Sequence, residues 1–202
     1  MNHETAVSKA KDIADRVLAP AARQHDKEGR FSTQAVVALG EAGLLGLMLP
    51  SELSGAGLGP RSFATVTTTL AEADASAAMV YLMHTSATAT ILAARPNATV
   101  APILGEIAAG RHLSTLAFSE AGSRSHFWTP VSRARRNAAG LHITAKKSWV
   151  TSAGHAQSYV VSSLAPNGGG LTDSTCHARD RRFENRLAYS QPLFRRARAG
   201  YR

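Results

Sequence analysis

Apolar residues recur at helical spacing through the first half of the chain and at strand-like spacing through the second. Ile13 with Val17, and Ala14 with Leu18, form i, i+4 pairs ahead of Ala19–Pro20. They predict a helix that Pro20 kinks or ends. Ser32 or Thr33 caps a second helix running through Val36, Val37 and Leu39, with Gly43 as its stop. "LLGLMLPSELSGAGLGP" is a short apolar run followed by a glycine-rich loop. From Phe63 to Ala94 the chain is rich in Ala and Thr, and Met79, Met83, Ala87, Ile91 and Ala94 share one helical face. That stripe reads as core; a second reading makes the thioethers of Met79 and Met83 one wall of an acyl-chain cavity. "RPN" at 95–97 ends this stretch, and 99–109 reads as one more short helix before Gly110.

After Gly110 the period shortens. "HLSTLAFS" (112–119) and "SYVVSSL" (158–164) read as strands, and 131–136 with 141–152 as a hairpin around "NAAG" (137–140). "APNGGG" (165–170) reads as a flexible loop. Helices followed by strands predict an α+β chain, a helical domain joined to a partial antiparallel β domain. If 141–152 is a strand, Trp149 and Thr151 lie on one face of it. That pair is either ordinary sheet packing with a satisfied hydroxyl, or one wall of a pocket for a planar ligand.

Composition adds limits. The 202 residues are 44% hydrophobic and 18% charged, enough for one or two domains with a core. The single cysteine, Cys176, excludes an internal disulfide and suits the cytoplasm. The charged N-terminus lacks a signal-peptide core, and no apolar run is long enough to span a membrane. The last 26 residues hold eight arginines against Asp180 and Glu184, so +6 of the net +9 belongs to the tail. The body of the protein therefore gives little support to nucleic-acid binding.

Most candidate motifs have plain readings. "GAGLG" (55–59) lacks dinucleotide-loop spacing and context, and reads as a loop. His112, His126, His142 and His155 lack the paired spacing of a zinc site, Cys176 has no CxxC partner, and no GxSxG elbow occurs. "LAFSEAGSRSHFWTP" (116–130) carries more. Beyond a strand ending at Phe118, Ser119, Gly122, Ser123, Arg124 and Ser125 offer hydroxyls, free N–H groups and charge for carbonyl or phosphate oxygens. Taken alone, the segment reads equally as a solvated turn.

The order of features then matters. "FSTQAVVALGEAGLLGLMLPSELSGAGLG" precedes "AEADASAAMVYLMH", "LAFSEAGS" and "KKSWVTSAGHAQSYVVSS". In this order the chain resembles the acyl-CoA dehydrogenase family from residue 1 to about 175, most specifically in "GLLGLMLPSELSGAGLG" and "SWVTSAGHA". The resemblance implies an N-terminal helical domain over 1–111, a partial middle β domain over 112–175, and FAD oxidising the Cα–Cβ bond of an acyl-CoA thioester. It assigns Trp149 to stacking on the isoalloxazine and Thr151 to a hydrogen bond at its N5 edge, with Val150 between them. Leu116, Ala117, Phe118 and Ser119 would contact the pyrimidine end of the ring, and Gly122 and Ser123 would lie near the flavin phosphates. The family's "TEPxAGSD" reads here as "SEAGSRSH", so Ser123 and Ser125 share the assignment to the substrate thioester.

The family's C-terminal four-helix bundle, which supplies the catalytic glutamate and builds the tetramer, has no counterpart in the sequence. No residue is assigned as catalytic base, and Glu120 belongs to the flavin loop. The expectation is an acyl-CoA dehydrogenase-like flavoprotein, weakly active or inactive alone, that takes acyl-CoA and associates with itself or another chain through exposed β edges. The alternatives are a non-catalytic remnant or interaction module, and a fragment of a flavin monooxygenase of the same fold. The Arg-rich tail, 176–202, is expected to be irregular: disordered, or the product of a frameshift.

Overall fold

The structure, a computed structural model, describes residues 1–94, 98, 100–123, 126, 128–138, 140–166, 171–177 and 186–191, with backbone alone for the last two stretches and for 140–141. The chain opens on α1 (His3–Ile13), capped by Asn2, whose Oδ1 accepts from the Thr5 N–H at 2.8 Å. It continues through a π-helical turn, Ala14–Leu18, into α2 (Ala19–Glu28). Pro20 therefore does not end the helix. Its ring crowds the carbonyl four residues back and it has no N–H to donate; the wider π turn just before it absorbs both defects. Gly29, at φ 60°, closes α2 in the left-handed conformation.

After α3 (Thr33–Glu41) the chain folds back on itself through Leu44, Leu45, Leu47 and Leu49, all buried. The N–H groups of Ala56, Gly57 and Leu58 donate to the carbonyls of Gly46, Leu49 and Leu47. The "GAGLG" glycines thus serve a tight return of the backbone. A Cβ on Gly55 would meet the Leu49 carbonyl oxygen at 2.1 Å.

The stretch from Phe63 to Ala94 is two helices, α4 (Pro60–Ala71) and α5 (Ala75–Ala93). Asp74 separates them: its Oδ1 accepts from the N–H groups of Ser76 and Ala77, nucleating α5. The expected stripe divides here: Ala87 and Ile91 are core as expected, but Met79 is 47% exposed and Met83 half-buried, while Ala77, Tyr81, His84 and Thr88 face inward in that half of the helix. Hydropathy favours the methionine face, but hydrogen bonding lets the more polar one go inside: Thr88 Oγ1 donates to the His84 carbonyl at 2.9 Å. After α6 (Ala101–Ala108) the chain enters the sheet. The expected stop at 95–97 lies outside the described residues, as does the 167–170 part of the glycine loop.

The main sheet has the order β1 (Ser114–Ala117), β4 (Ser158–Leu164), β5 (Leu171–His177), β6 (Arg186–Gln191); β2 (Arg135–Asn137) and β3 (Gly140–His142) form a separate hairpin. β1 runs parallel to β4, and β4–β5 and β5–β6 are antiparallel, so the sheet is mixed where an antiparallel one was expected. The reason is topological: α-helices occupy the chain before β1, and a long connection returns it to β4 in the same direction. Part of the tail is also regular, since Arg186–Gln191 pairs with β5.

α5 joins the helices to the sheet. Ala77, Ala78 and Tyr81 belong to the helical core with Leu39, Leu44, Val66 and Leu70, while Ala87 and Ile91 pack with Leu49, Ile103, Leu104 and Val160 of β4. At the joint His84 is fully buried. Its Nδ1 accepts from the Ser114 N–H at 3.0 Å and its Nε2–H donates to the Leu45 carbonyl at 3.0 Å, which fixes one neutral tautomer. Burial pushes its pKa down from 6.5 to about 4.

Between those values the unfolded chain binds a proton that the folded one refuses. The stability held above pH 6.5 is therefore lost as pH falls toward 4, by about 3 kcal/mol from this one group. Urea unfolding at a series of pH values should show that decline, and His84→Gln should flatten it while lowering stability at neutral pH. Gly55→Ala should cost about 2 kcal/mol by the same measurement, because the added methyl meets the Leu49 backbone and its Cβ, none of which is a flexible side-chain end.

Candidate functional site

β1 is an edge strand of the main sheet, with β4 on one side. Past its end, the backbone of residues 147–151 runs beside it and is tied to it at three levels. Thr115 Oγ1 donates to the Thr151 carbonyl at 2.7 Å, the Ser148 N–H donates to the Ser119 carbonyl at 2.9 Å, and Glu120 forms an isolated antiparallel bridge with Lys147. The two segments singled out in the sequence are thus adjacent.

A buried ion pair holds them. The side chains of Lys147 and Glu120 are 10% and 3% exposed, and Nζ lies 2.7 Å from Oε1. Nζ also donates to the carbonyls of Ser162 (2.7 Å) and Phe118 (3.1 Å). The carboxylate further accepts from the Ser132 N–H (2.8 Å) and Oγ (2.6 Å), and from the Val131 N–H (3.2 Å). Burial pushes the Glu120 carboxyl up, but Lys147 and the Ser132 donors outweigh it and hold the group below the usual carboxylate range. Glu120 is accordingly a fixed anion with its lone pairs engaged, unsuited to collecting a proton from a ligand.

The strand expected over 141–152 ends at His142. Trp149 sits at φ 55° and Ser152 at φ 62°, so the two-residue alternation that put Trp149 and Thr151 on one face does not apply. The departure has a cause. Lys147 turns inward to its three acceptors, the Ser148 N–H pairs with Ser119, and the chain then folds into turns closed by Ala153 N–H to Val150 O and by His155 and Ala156 N–H to Ser152 O.

The indole of Trp149 is 94% exposed and makes no ring contact with the described residues. The hydroxyls of Ser119 and Thr151 likewise form no hydrogen bond among the described residues, although the carbonyl of each is engaged. An exposed aromatic ring and two uncommitted hydroxyls, carried on segments whose backbones are joined, are the kinds of group that a flat ligand with a polar edge uses.

Other expected contacts are taken up by the protein. Leu116 and Phe118 pack against the cluster around Leu49, Ile91 and Val160, and Ala117 is buried on the other side with Leu113 and Tyr159. Leu116 and Phe118 remain half-buried, and the Phe118 carbonyl already accepts from Lys147. Val150 packs with Phe31, Val36 and Val80, and lines a cavity of about 430 Å³ between the helices and the 150–155 turns. His155 stacks on Phe31 there, ring centroids 3.9 Å apart. Ser123 is buried and its Oγ donates to the Glu120 carbonyl at 2.8 Å, so its proton is spent inside the turn and it is no free donor for a phosphate or thioester. Gly122 is exposed, and Arg124 and Ser125 lie outside the described residues.

Sequence reasoning missed Lys147, His84 and the Phe31–His155 stack as organising groups. The signal for Lys147 was slight: a lysine ahead of an aromatic, with its acid 27 residues away. Lys147→Met should strand a buried carboxylate and cost about 3–5 kcal/mol, read by thermal or urea unfolding.

The family described as "Acyl-CoA dehydrogenase, N-terminal domain" matches residues 1–111. The short-chain specific acyl-CoA dehydrogenase of Bos taurus mitochondria is 28% identical over 160 residues, which cover 79% of this chain and 39% of that one. Among solved structures, butyryl-CoA dehydrogenase from Megasphaera elsdenii superposes with a TM-score of 0.78 at 20% identity, over 88% of this chain and 48% of that one. A glutaryl-CoA dehydrogenase from Mycobacterium smegmatis in complex with FADH2 does so with 0.79 at 17%, over 89% and 46%. The two structural likenesses speak for the fold, and the chain spans less than half the length of each of these relatives. With more than half of its residues inside the family's N-terminal domain, the chain belongs to the acyl-CoA dehydrogenase family.

Proposed function

We propose that this chain forms one wall of a flavin site in an acyl-CoA dehydrogenase, with a helical unit over 1–111 and a β unit from 112 to 175. The observation that carries the proposal is the joining of the β1 end to the 147–151 segment, with Trp149 left open beside it. Trp149 provides the stacking face for the isoalloxazine. Thr151 provides a hydroxyl at the ring's N5 edge, and Ser119, with the backbone from Leu116, contacts the pyrimidine end. FAD, when bound, accepts the hydride from the β carbon of an acyl-CoA thioester.

The contribution of this chain's residues is to bind and orient. A stacked indole lowers the ring's exposure to water, and a directed hydroxyl favours negative charge at the edge it faces. The α-proton is not taken by Glu120, whose carboxylate is held by Lys147 and Ser132. No described residue is assigned as the base. Association with itself or another chain, and a cytoplasmic setting suited to the lone Cys176, belong to the same reading. No helix among the described residues is long and apolar enough to cross a membrane.

Titrating the purified chain with FAD, and following flavin fluorescence and the visible spectrum, tests the proposal. Quenching with a shifted flavin band is expected, and Trp149→Ala should weaken binding by about tenfold with little change in melting temperature, because the indole makes few contacts in the protein. Bleaching of the bound flavin by a short acyl-CoA would extend the reading to catalysis. A chain that stays colourless and leaves FAD fluorescence unchanged would overturn it in favour of a non-catalytic interaction module.

A further inference from the structure

We propose that Glu120 and Lys147 are positioning residues: together they set where the backbone at Phe118–Glu120 lies relative to that at Ser148–Thr151, and so place the groups that meet the flavin. The inference rests on the flavin reading above and assigns a role to two residues that make no contact with the ligand themselves.

The argument starts from what the ammonium touches. Lys147 Nζ donates to Glu120 Oε1 at 2.7 Å, the Ser162 carbonyl at 2.7 Å and the Phe118 carbonyl at 3.1 Å, with the Ser162 Oγ more distant at 3.3 Å. These belong to the turn after β1, to β4 and to the end of β1. Glu120 reaches a fourth segment through the N–H groups of Val131 and Ser132 and the Ser132 hydroxyl. One charge pair thus fixes four stretches of chain, with Ser119 beside Phe118 and Trp149 two residues beyond Lys147.

The energetics point to placement rather than stability. Burying two charges costs desolvation that their attraction seldom exceeds, and apolar residues of similar volume often serve stability as well or better. Such residues pack without directionality and let segments slide past one another. An ammonium with three assigned acceptors does not. Ligand sites tolerate only about 0.5 Å of slack in the groups that hold them.

Pairing Glu120→Gln with Lys147→Met in one chain separates the two roles. Removing both charges relieves the burial penalty that either single change creates, so the melting temperature should return close to wild type. If the pair positions, FAD affinity should nonetheless stay about tenfold or more below wild type, and amide hydrogen exchange at Ser148–Thr151 should be faster. Glu120→Asp, which keeps the charges and retracts the carboxylate by one methylene, should show the same two changes in milder form with the fold preserved. FAD affinity and exchange that recover together with the melting temperature would overturn the proposal and leave the pair a stabilising contact. Wild-type chain that binds no FAD would overturn the flavin reading; hydrogen exchange in the three proteins would then decide by itself whether the pair aligns the segments.

Discussion

A lysine whose side chain is only 10% exposed is the strongest constraint on this chain. It requires a counter-charge and a full set of acceptors, and few arrangements of the surrounding backbone supply both. Here the acceptors come from the end of β1, the turn after it and β4, so satisfying one side chain fixes the mutual placement of elements separated by 15 to 29 residues. The irregular course of residues 147–153 follows from it. A chain that must turn Lys147 inward and pair Ser148 with Ser119 cannot also continue as a strand.

The joint between helices and sheet obeys the same rule with neutral groups. His84 spans Leu45 and Ser114, and the hydroxyls of Ser114 and Ser158 lie 2.7 Å apart with His112 Nε2 at 2.9 Å from Ser158. Several polar groups on α5, β1 and β4 go inside with a named partner, which spares the cost of an unmet buried donor, whereas the hydroxyls of Tyr81, Thr85 and Ser163 are buried without one among the described residues. β4 is buried along nearly its whole length because α5 and α6 cover one face while Leu113, Ala117 and Phe31 pack toward the other. The sheet edge near the candidate site is therefore rigid on the side that faces the core and open on the side that carries Trp149.

That division bears on function. The groups free to meet a ligand are few: an indole, two hydroxyls and stretches of edge backbone. Everything around them is committed to the fold, including the one carboxylate in the loop. Among the described residues, a site of this composition can bind, stack and orient, and its carboxylate, Glu120, is already engaged.

By itself the sequence determined what short-range physics governs. Ser32 and Gly43 stand at the two ends of α3, though the Ser32 side chain makes no cap bond; a strand is written in "SYVVSSL", the helical half precedes the β half, and the family is legible in ordered motifs, of which the family match covers residues 1–111. Pro20 does not end its helix, because a π turn accommodates it, and the apolar stripe of α5 is core at Ala87 and Ile91 but not at Met79, where buried hydrogen bonds let a more polar face go inside. Tertiary structure alone decided that Lys147 meets Glu120, that His84 is neutral and buried, that β1 pairs with β4 in parallel, and that Trp149 leaves the strand geometry its neighbours seemed to dictate. Caps, turns and periodicity act within a few residues and are legible one window at a time. A buried charge or imidazole is settled by partners tens of residues away, and no local pattern records which of the available groups will arrive.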